Sequence, residues 1–512
     1  MCIFVLITKG ESLMALLNND ELKVAEAISS LNYANPFLQE RQALEKTILG
    51  KDYVDGGSVW SLSTTDQQDF NVERIREKTA WIVKKMHDAF RRYEKEQVSK
   101  DARDTYANLV IYHLFEYFRA PMSEYIANKK TEPIGFYRDF IAEVERLTRM
   151  DNLNIQLPFP APHIFAMYFQ IHRAFQYIFR YIVGGSMPTA RLRASVWQSI
   201  FTHNMFRYCR TLYPRMNDIT TLITGPSGTG KELVARAIAF CRYIPFDPDK
   251  LQFEENYLDQ FSPLHLSAMP QNLIESELFG HRKGAFTGAL EDRASWLENS
   301  SLYGTVFLDE IGEINEEVQV KLLRLLQERR FHRIGETRER MFKGKIIAAT
   351  NRNLVSSMNN GMFRKDLYYR ICADMITTPS LREQLDDSPD EIENLVKFLC
   401  ARILRNDGSD FLAKETLSWI KKELGSSYEW PGNVRELEQC IFNILIRGSY
   451  HPPERNDADI SLQEAVSAGD MTADELLNRY CLSIYRRTRS FSETAKIVDL
   501  DRRTVKSRID SV

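Results

Sequence analysis

Residues 221–240 read TLITGPSGTGKELVARAIAF, an apolar run, a glycine-rich turn and a helical segment in succession. The turn comprises Gly225, Pro226, Ser227, Gly228, Thr229 and Gly230 and ends on Lys231. Glycines at this spacing let successive backbone N–H groups turn inward to phosphate oxygens. A helix N-terminus aims at the same charge, and the lysine reaches the β- and γ-phosphates. The chemistry implied is nucleotide binding. Glu232 follows the lysine, where the general pattern carries a Ser or Thr hydroxyl for Mg2+. A nucleotide hydrolase also needs a carboxylate for the metal and a group that orients or deprotonates water. TVFLDE (305–310) supplies both, Asp309 for the metal and Glu310 for the water. Most Asp-Glu pairs are solvated. Here a mostly apolar run leads into the pair and predicts a buried strand that delivers it to the sheet edge where α/β ligands bind. KIIAATN (345–351) predicts a third strand ending on Thr350 and Asn351, polar groups suited to sensing a γ-phosphate or, equally, to capping a helix.

Strands alternating with long helical segments predict a parallel α/β sheet in the middle of the chain, with divisions near residues 185 and 450. At ~150 residues per domain the length allows about three domains, and 44% of the 512 residues are hydrophobic, enough for each to have a core. Residues 1–184 are helix-like and rich in aromatics, as in YHLFEYF (112–118) and FAMYFQIHRAFQYIFRYIV (165–183). They predict a mostly helical regulatory domain around an aromatic core, and nothing in them selects a ligand. HPPERNDADISLQEAVSAGD (451–470) has the proline and charge content of a linker.

With 67 Lys and Arg against 70 Asp and Glu the formal charge is −3, so the chain is not basic throughout and any nucleic-acid surface is local. The seven cysteines are scattered and form no cluster of zinc spacing. That argues for a reducing cytosol, against a disulfide framework and against a structural metal. The longest apolar run near the start, Cys2 to Ile7, is far shorter than the ~20 residues of a membrane span, and it lacks a basic n-region and a cleavage site. The expectation is a cytoplasmic, nucleoid-associated protein without membrane attachment. From Arg486 to Arg508 eight Lys or Arg stand against three acids. SFSETAKIVDLDRRTVKSRID (490–510) reads as helix, turn, helix. Ser492 and Asp501 are the expected caps, Ala495 and Ile497 sit on the first helix, and Val505 and Ile509 face the core at i, i+4 spacing.

ESELFGHRKGAFTGAL (275–290) contains an unbroken GAFTGA: Gly284, Ala285, Phe286, Thr287, Gly288 and Ala289. With the phosphate loop and TVFLDE, it makes residues 185–448 resemble the central AAA+ ATPase of the bacterial enhancer-binding proteins that activate sigma-54 RNA polymerase. The resemblance implies an α/β P-loop domain over 185–380 with a helical lid over 381–450, acting on ATP with Mg2+. It implies that GAFTGA tips a loop raised and lowered by nucleotide state, with Phe286 and Thr287 touching sigma-54. Two glycines around an aromatic would make such a loop mobile, with an exposed apolar tip. Glu232 agrees with the family's usual loop. FRKDLYYR (363–370) matches the family's two trans-acting arginines at Arg364 and Arg370, and WPGNVRELEQ (430–439) puts Arg435 at the sensor position of the lid. The tail, 471–512, resembles the Fis-type helix-turn-helix domain that usually ends these proteins. Arg502, Arg503, Thr504, Lys506, Ser507 and Arg508 are its candidates for DNA contact, and the preceding helix resembles a dimerising one.

Three places depart from the family pattern. PLHLSAMP (263–270) has His265 where the family commonly has the asparagine thought to hold the catalytic glutamate as a switch; a histidine could still hydrogen-bond Glu310. FDPDKLQFEENYLDQF (246–261) is longer than usual and is expected to be a surface insertion, and Gln384 stands where a basic residue is common. The chain so described is a DNA-bound transcription activator, assembling as dimers and a hexameric ring and hydrolysing ATP to remodel the sigma-54 RNA polymerase holoenzyme. Two alternatives are a DNA-binding regulator without remodelling activity and an AAA+ remodeller of another target.

Overall fold

The computed structural model describes residues 17–54, 70–92, 98–130, 132–151, 153–259, 261–405, 408–452, 472–488 and 490–510. The run Cys2 to Ile7 and the expected linker beyond Pro452 lie outside the described residues. Two compact units divide between Ile446 and Arg447.

The first unit opens with helices α1 (Asn19–Leu31), α2 (Gln39–Leu49), α3 (Phe70–Phe90), α4 (Lys100–Tyr117), α5 (Arg119–Ala127), α6 (Tyr137–Thr148), α7 (Ala161–Tyr181) and α8 (Met187–Phe201). Polar residues start several of them: Asn18 forms a capping box with Glu21, and Ser99 and Ser186 cap α4 and α8. Their aromatic runs form a core, as the composition predicts, with Phe140, Phe165 and Phe169 fully buried. That core does not close on itself. The same apolar cluster takes in Val234, Ile238 and Phe240 together with Ile223, Phe307, Ile347 and Ile376 of the sheet, so the N-terminal helices cover one sheet face. The segment 246–261 departs from the surface insertion expected. Phe246 is buried, with its ring 4.7 Å from Phe165, and Phe253 lies 5.0 Å from Phe169. Two aromatic side chains with a helix beside them are more stable packed than solvated.

The sheet has five parallel strands, β1 (Thr221–Thr224), β2 (Phe261–His265), β3 (Thr305–Asp309), β4 (Lys345–Thr350) and β5 (Asp374–Thr377), in the order β5-β1-β4-β3-β2. All six residues of β4 are buried, as a strand covered on both faces requires. Successive residues alternate between faces. Phe307 joins the N-terminal core, while Val306 and Leu308 pack with Leu322 and Leu325 on the other side. Around the sheet run α9 (Lys231–Phe240), α10 (Gln271–Phe279), α11 (Glu316–Glu328), α12 (Leu354–Asn359) and α13 (Lys365–Ile371), followed in the region expected to be the lid by α14 (Leu381–Asp387), α15 (Glu391–Leu404), α16 (Ser409–Trp419) and α17 (Asn433–Arg447). The start of α8 is tied to the lid. Gly185 N donates to Glu391 Oε2 at 2.7 Å, and Thr189 Oγ1 to Gln384 Oε1 at 3.1 Å. The second tie gives buried Gln384 a role that a basic residue would not fill.

The second unit holds α18 (Ala473–Thr488), α19 (Phe491–Val498) and α20 (Arg502–Asp510). Asp501 caps α20, accepting from Arg503 N and Thr504 N, but Ser490 rather than Ser492 caps α19. Thr494 is fully buried and hydrogen-bonds Thr488, whereas Ile497 is exposed. Val505 is fully buried and Ile509 partly so.

Candidate active site

The phosphate loop joins β1 to α9 at the sheet's C-terminal edge. Strand order changes direction here, with β1 flanked by β5 and β4, which is where open α/β sheets bind ligands. Gly225, Gly228 and Gly230 have φ of 143°, 78° and 85°. At the first two, space adds to conformation: a Cβ would stand 2.2 Å from Thr378 Oγ1 at Gly225 and 2.3 Å from the Gly432 carbonyl oxygen at Gly228. Lys231 Nζ folds back over the loop, donating to the carbonyls of Gly225 and Pro226 at 3.0 Å each. Burial lowers its pKa, and the carboxylates of Glu310 and Asp309 oppose that shift. Thr229 Oγ1 donates to Pro226 O at 2.8 Å, and Glu232 is engaged by Arg236 at 2.7 Å along α9.

Asp309 and Glu310 emerge from the buried strand Thr305–Asp309 at the same edge, as the apolar approach predicts. Their partners differ from those implied. Register pairs His265 with Asp309 at the ends of β2 and β3, and His265 Nδ1 lies 3.1 Å from Asp309 Oδ2. His265 therefore engages Asp309 and not Glu310. Glu310 is one residue past the strand and turns left-handed, φ 58° and ψ 50°, toward β4. There Asn351 N donates to Glu310 Oε2 at 3.2 Å. Thr350 is fully buried, and its hydroxyl accepts from Arg352 N at 3.1 Å.

The lid reaches the loop through two groups. Arg435 Nη1 lies 3.3 Å from Ser227 Oγ, and Asn433 Nδ2 donates to Ser227 O at 2.9 Å. Arg364 and Arg370 are held elsewhere. Arg364 pairs with Asp366 at 2.7 Å, and Arg370 donates twice to Leu326 O, at 3.0 and 2.8 Å.

The GAFTGA loop is closed by Gly284 N donating to Ala289 O at 2.9 Å, with Gly284 at φ 80° and Gly288 at φ 102°. Its aromatic is not the exposed tip expected. Phe286 is half-buried, edge-on to buried His281 at 5.0 Å, while Leu290, just after the hexapeptide, is 79% exposed. A lone Phe lies back on the nearest apolar wall when nothing else covers it. In the tail Arg502, Arg503, Lys506 and Ser507 are exposed and Thr504 is half-buried. Arg508 turns inward, donating to Asp474 at 3.2 Å and Asn478 at 3.0 Å on α18, so its guanidinium is committed within the unit.

No group of three or more His, Cys, Asp or Glu able to cage a metal occurs among the described residues. The single carboxylate of Asp309 at the end of β3 is the kind of donor that suits Mg2+, which one carboxylate and nucleotide phosphates commonly hold. Sequence reasoning passed over Thr378 and Asn433. Thr378 Oγ1 hydrogen-bonds Thr229 Oγ1 at 2.6 Å, and Asn433 Oδ1 accepts from Leu381 N at 2.8 Å while its amide holds the loop. The strand DMITT, an apolar run ending in polar residues at the sheet edge like KIIAATN, is the signal that could have found Thr378. Among the described residues no helix is long and apolar enough to cross a membrane.

Residues 200–377 match the Sigma-54 interaction domain family. The chain is 44% identical over 222 residues to the Nif-specific regulatory protein of Azotobacter vinelandii, covering 43% of this chain and 38% of that one. It is 36% identical over 299 residues to the nitrogen fixation protein AnfA of the same organism, covering 57% and 52%. The chain thus spans about two fifths to one half of the length of these relatives. NtrX from Brucella abortus in complex with ADP aligns at a TM-score of 0.40 and 20% identity, over 78% of this chain and 85% of that one.

Proposed function

We propose that this chain, whose residues 200–377 match the Sigma-54 interaction domain family, is an ATP-hydrolysing activator of sigma-54 RNA polymerase that binds upstream DNA and remodels the closed promoter complex. The observation that carries this reading is the convergence of Lys231, Asp309 and Glu310 at one sheet edge, in the domain that also bears GAFTGA. The loop amides and Lys231 hold the β- and γ-phosphates of ATP, with Arg435 adding charge from the lid. Asp309 would hold the Mg2+, which when bound neutralises charge between those phosphates. Glu310 orients the attacking water and takes its proton. Thr350 and Asn351 sense the γ-phosphate, a role supported by the Asn351 backbone amide that donates to Glu310.

Arg364 and Arg370 complete the neighbouring subunit's site in a ring, taken to be a hexamer. Support comes from their engagement away from their own phosphate loop and from the exposed Met362 and Tyr369 beside them, 60% and 65% accessible. GAFTGA then carries the stroke to sigma-54, lifting Phe286 off His281 with Thr287. In the tail, the exposed Arg502, Arg503, Lys506 and Ser507 of α20, with Thr504, support a DNA-reading face, and α18 is the dimerising helix.

The test is sigma-54-dependent open-complex formation by the purified protein with ATP, comparing wild type with Thr287→Ala. ATP hydrolysis retained and open complexes lost in the variant is the expected result. A wild type that hydrolyses ATP but opens no sigma-54 promoter points to another remodelling target, and one that binds DNA without hydrolysis to a regulator that does not remodel.

A further inference from the structure

A cavity of about 510 Å3 lies within the N-terminal helical region. Well-packed cores leave few voids larger than a water molecule, and volumes of this size with apolar walls and a few polar groups are those of small-molecule sites. Much of the wall is aromatic: Phe37, Phe115, Tyr168, Phe175, Phe179 and Trp197. These rings brace one another, Phe37 against Phe179 at 5.5 Å and Phe175 against Trp197 at 5.3 Å. Arg119, Ser123 and Ala127 also line the cavity and are exposed, which gives it an opening on the α5 side.

The polar lining is small and specific. His172 stacks on Phe115 at 4.6 Å with an 11° interplanar angle, and burial, reinforced by Arg119, lowers its pKa to about 3, so the imidazole is neutral. Glu116 Oε2 has Arg119 Nη1 at 3.6 Å. His172 Nε2 and Glu116 Oε2 are both buried and have no hydrogen-bond partner among the described residues. Buried polar atoms normally have one. Charge, by contrast, is balanced: Arg41 pairs with Glu45 at 2.7 Å and Arg119 faces Glu116. A charged ligand would find no unmatched opposite charge, whereas a neutral one with a single donor would meet a waiting acceptor.

We propose that this cavity binds a neutral, planar aromatic molecule of one or two rings whose O–H or N–H group is presented to His172 Nε2. The site has a structural route outward. Trp197 lies on α8, whose Ser199 donates to Asp374 Oδ2 of β5 at 2.5 Å and whose Thr189 donates to Gln384 of the lid. The proposal does not rest on the transcription reading, because binding alone decides it.

The experiment is calorimetric titration of the full chain, without nucleotide or DNA, with 4-methylphenol, indole and toluene. Wild type is expected to bind 4-methylphenol and indole at one site, about tenfold tighter than toluene, the usual worth of one hydrogen bond to a buried group. His172→Phe keeps the stack on Phe115 and is expected to bring 4-methylphenol down to the affinity of toluene. Failure of both donor-bearing probes to bind wild type, or equal affinity for 4-methylphenol and toluene, overturns the proposal whether or not the variant folds. So does a folded His172→Phe that keeps the preference.

Discussion

Asn351 donates its backbone N–H to Glu310 Oε2 at 3.2 Å, bridging the C-terminal ends of β4 and β3. Glu310 meets it only because its backbone is left-handed, φ 58° and ψ 50°, a conformation that costs a non-glycine residue about 1 kcal/mol. Strain of this kind persists where the surroundings impose it, and here it aims the carboxylate over the sheet edge. Glycine adopts the same backbone without penalty. Glu310→Gly is therefore expected to melt no lower than wild type while ATP hydrolysis falls at least about 100-fold. Melting and ATPase assays on one preparation check this; a clearly lower melting temperature would mean that the carboxylate's contacts outweigh the strain.

Asn433 clasps the lid to the phosphate loop, its amide nitrogen on Ser227 O at 2.9 Å and its oxygen accepting from Leu381 N at 2.8 Å. It too is left-handed, at φ 53°, so Asn433→Gly removes both hydrogen bonds without adding strain. Two largely buried hydrogen bonds make a loss of about 2 kcal/mol the expected cost. A lid released from the loop should also raise the KM for ATP several-fold, since Arg435 is carried on the same helix. An unchanged KM with a lowered melting temperature would make the clasp purely structural.

What the sequence made legible was local. TLITG entering a glycine loop and TVFLDE ending on two acids each have strand, turn and chemistry within a dozen residues, and the folded chain keeps that arrangement. What it hid depends on register and on distant elements. His265 was legible as a departure but not its target, because only the pairing of β2 with β3 decides that it meets Asp309. Thr378 and Asn433 reach the loop across 149 and 206 residues of sequence, and no periodicity reports that. On α19 the cap is Ser490 and not Ser492, because two serines two residues apart offer the same capping chemistry and only the packed helix decides between them. The aromatic runs of α4 and α7 foretold a core, but composition does not distinguish a packed core from one with a cavity.

Arg503 and Arg508 lie close in sequence and are expected to fail differently. Arg503 is exposed, so Arg503→Ala should weaken DNA binding and lower the salt dependence of log K by about one charge. Arg508 holds α20 to α18 through Asp474 and Asn478. Arg508→Ala should destabilise the tail by about 1 kcal/mol, leaving the salt slope of the folded fraction unchanged. Fluorescence anisotropy over a salt series, with thermal melting of each variant, separates the two. Equal salt slopes lost in both would put Arg508 on the DNA.

Lys345 begins β4 fully inside the protein, its Nζ donating to the Ile219 carbonyl at 2.8 Å. Burial pushes its pKa down to about 8; Asp374 opposes the shift, and Arg242 and Arg329 add to it. In the unfolded chain the same lysine titrates near 10.5. Between these values the unfolded state binds a proton that the folded state has released, so this residue makes stability rise with pH across that window. Below pH 8 both states are protonated, and the full cost of the buried charge is present. Lys345→Met has no such proton. The melting temperature of wild type minus that of the variant should therefore increase between pH 7.5 and pH 10, and a difference that stays flat would mean that Lys345 keeps its proton throughout.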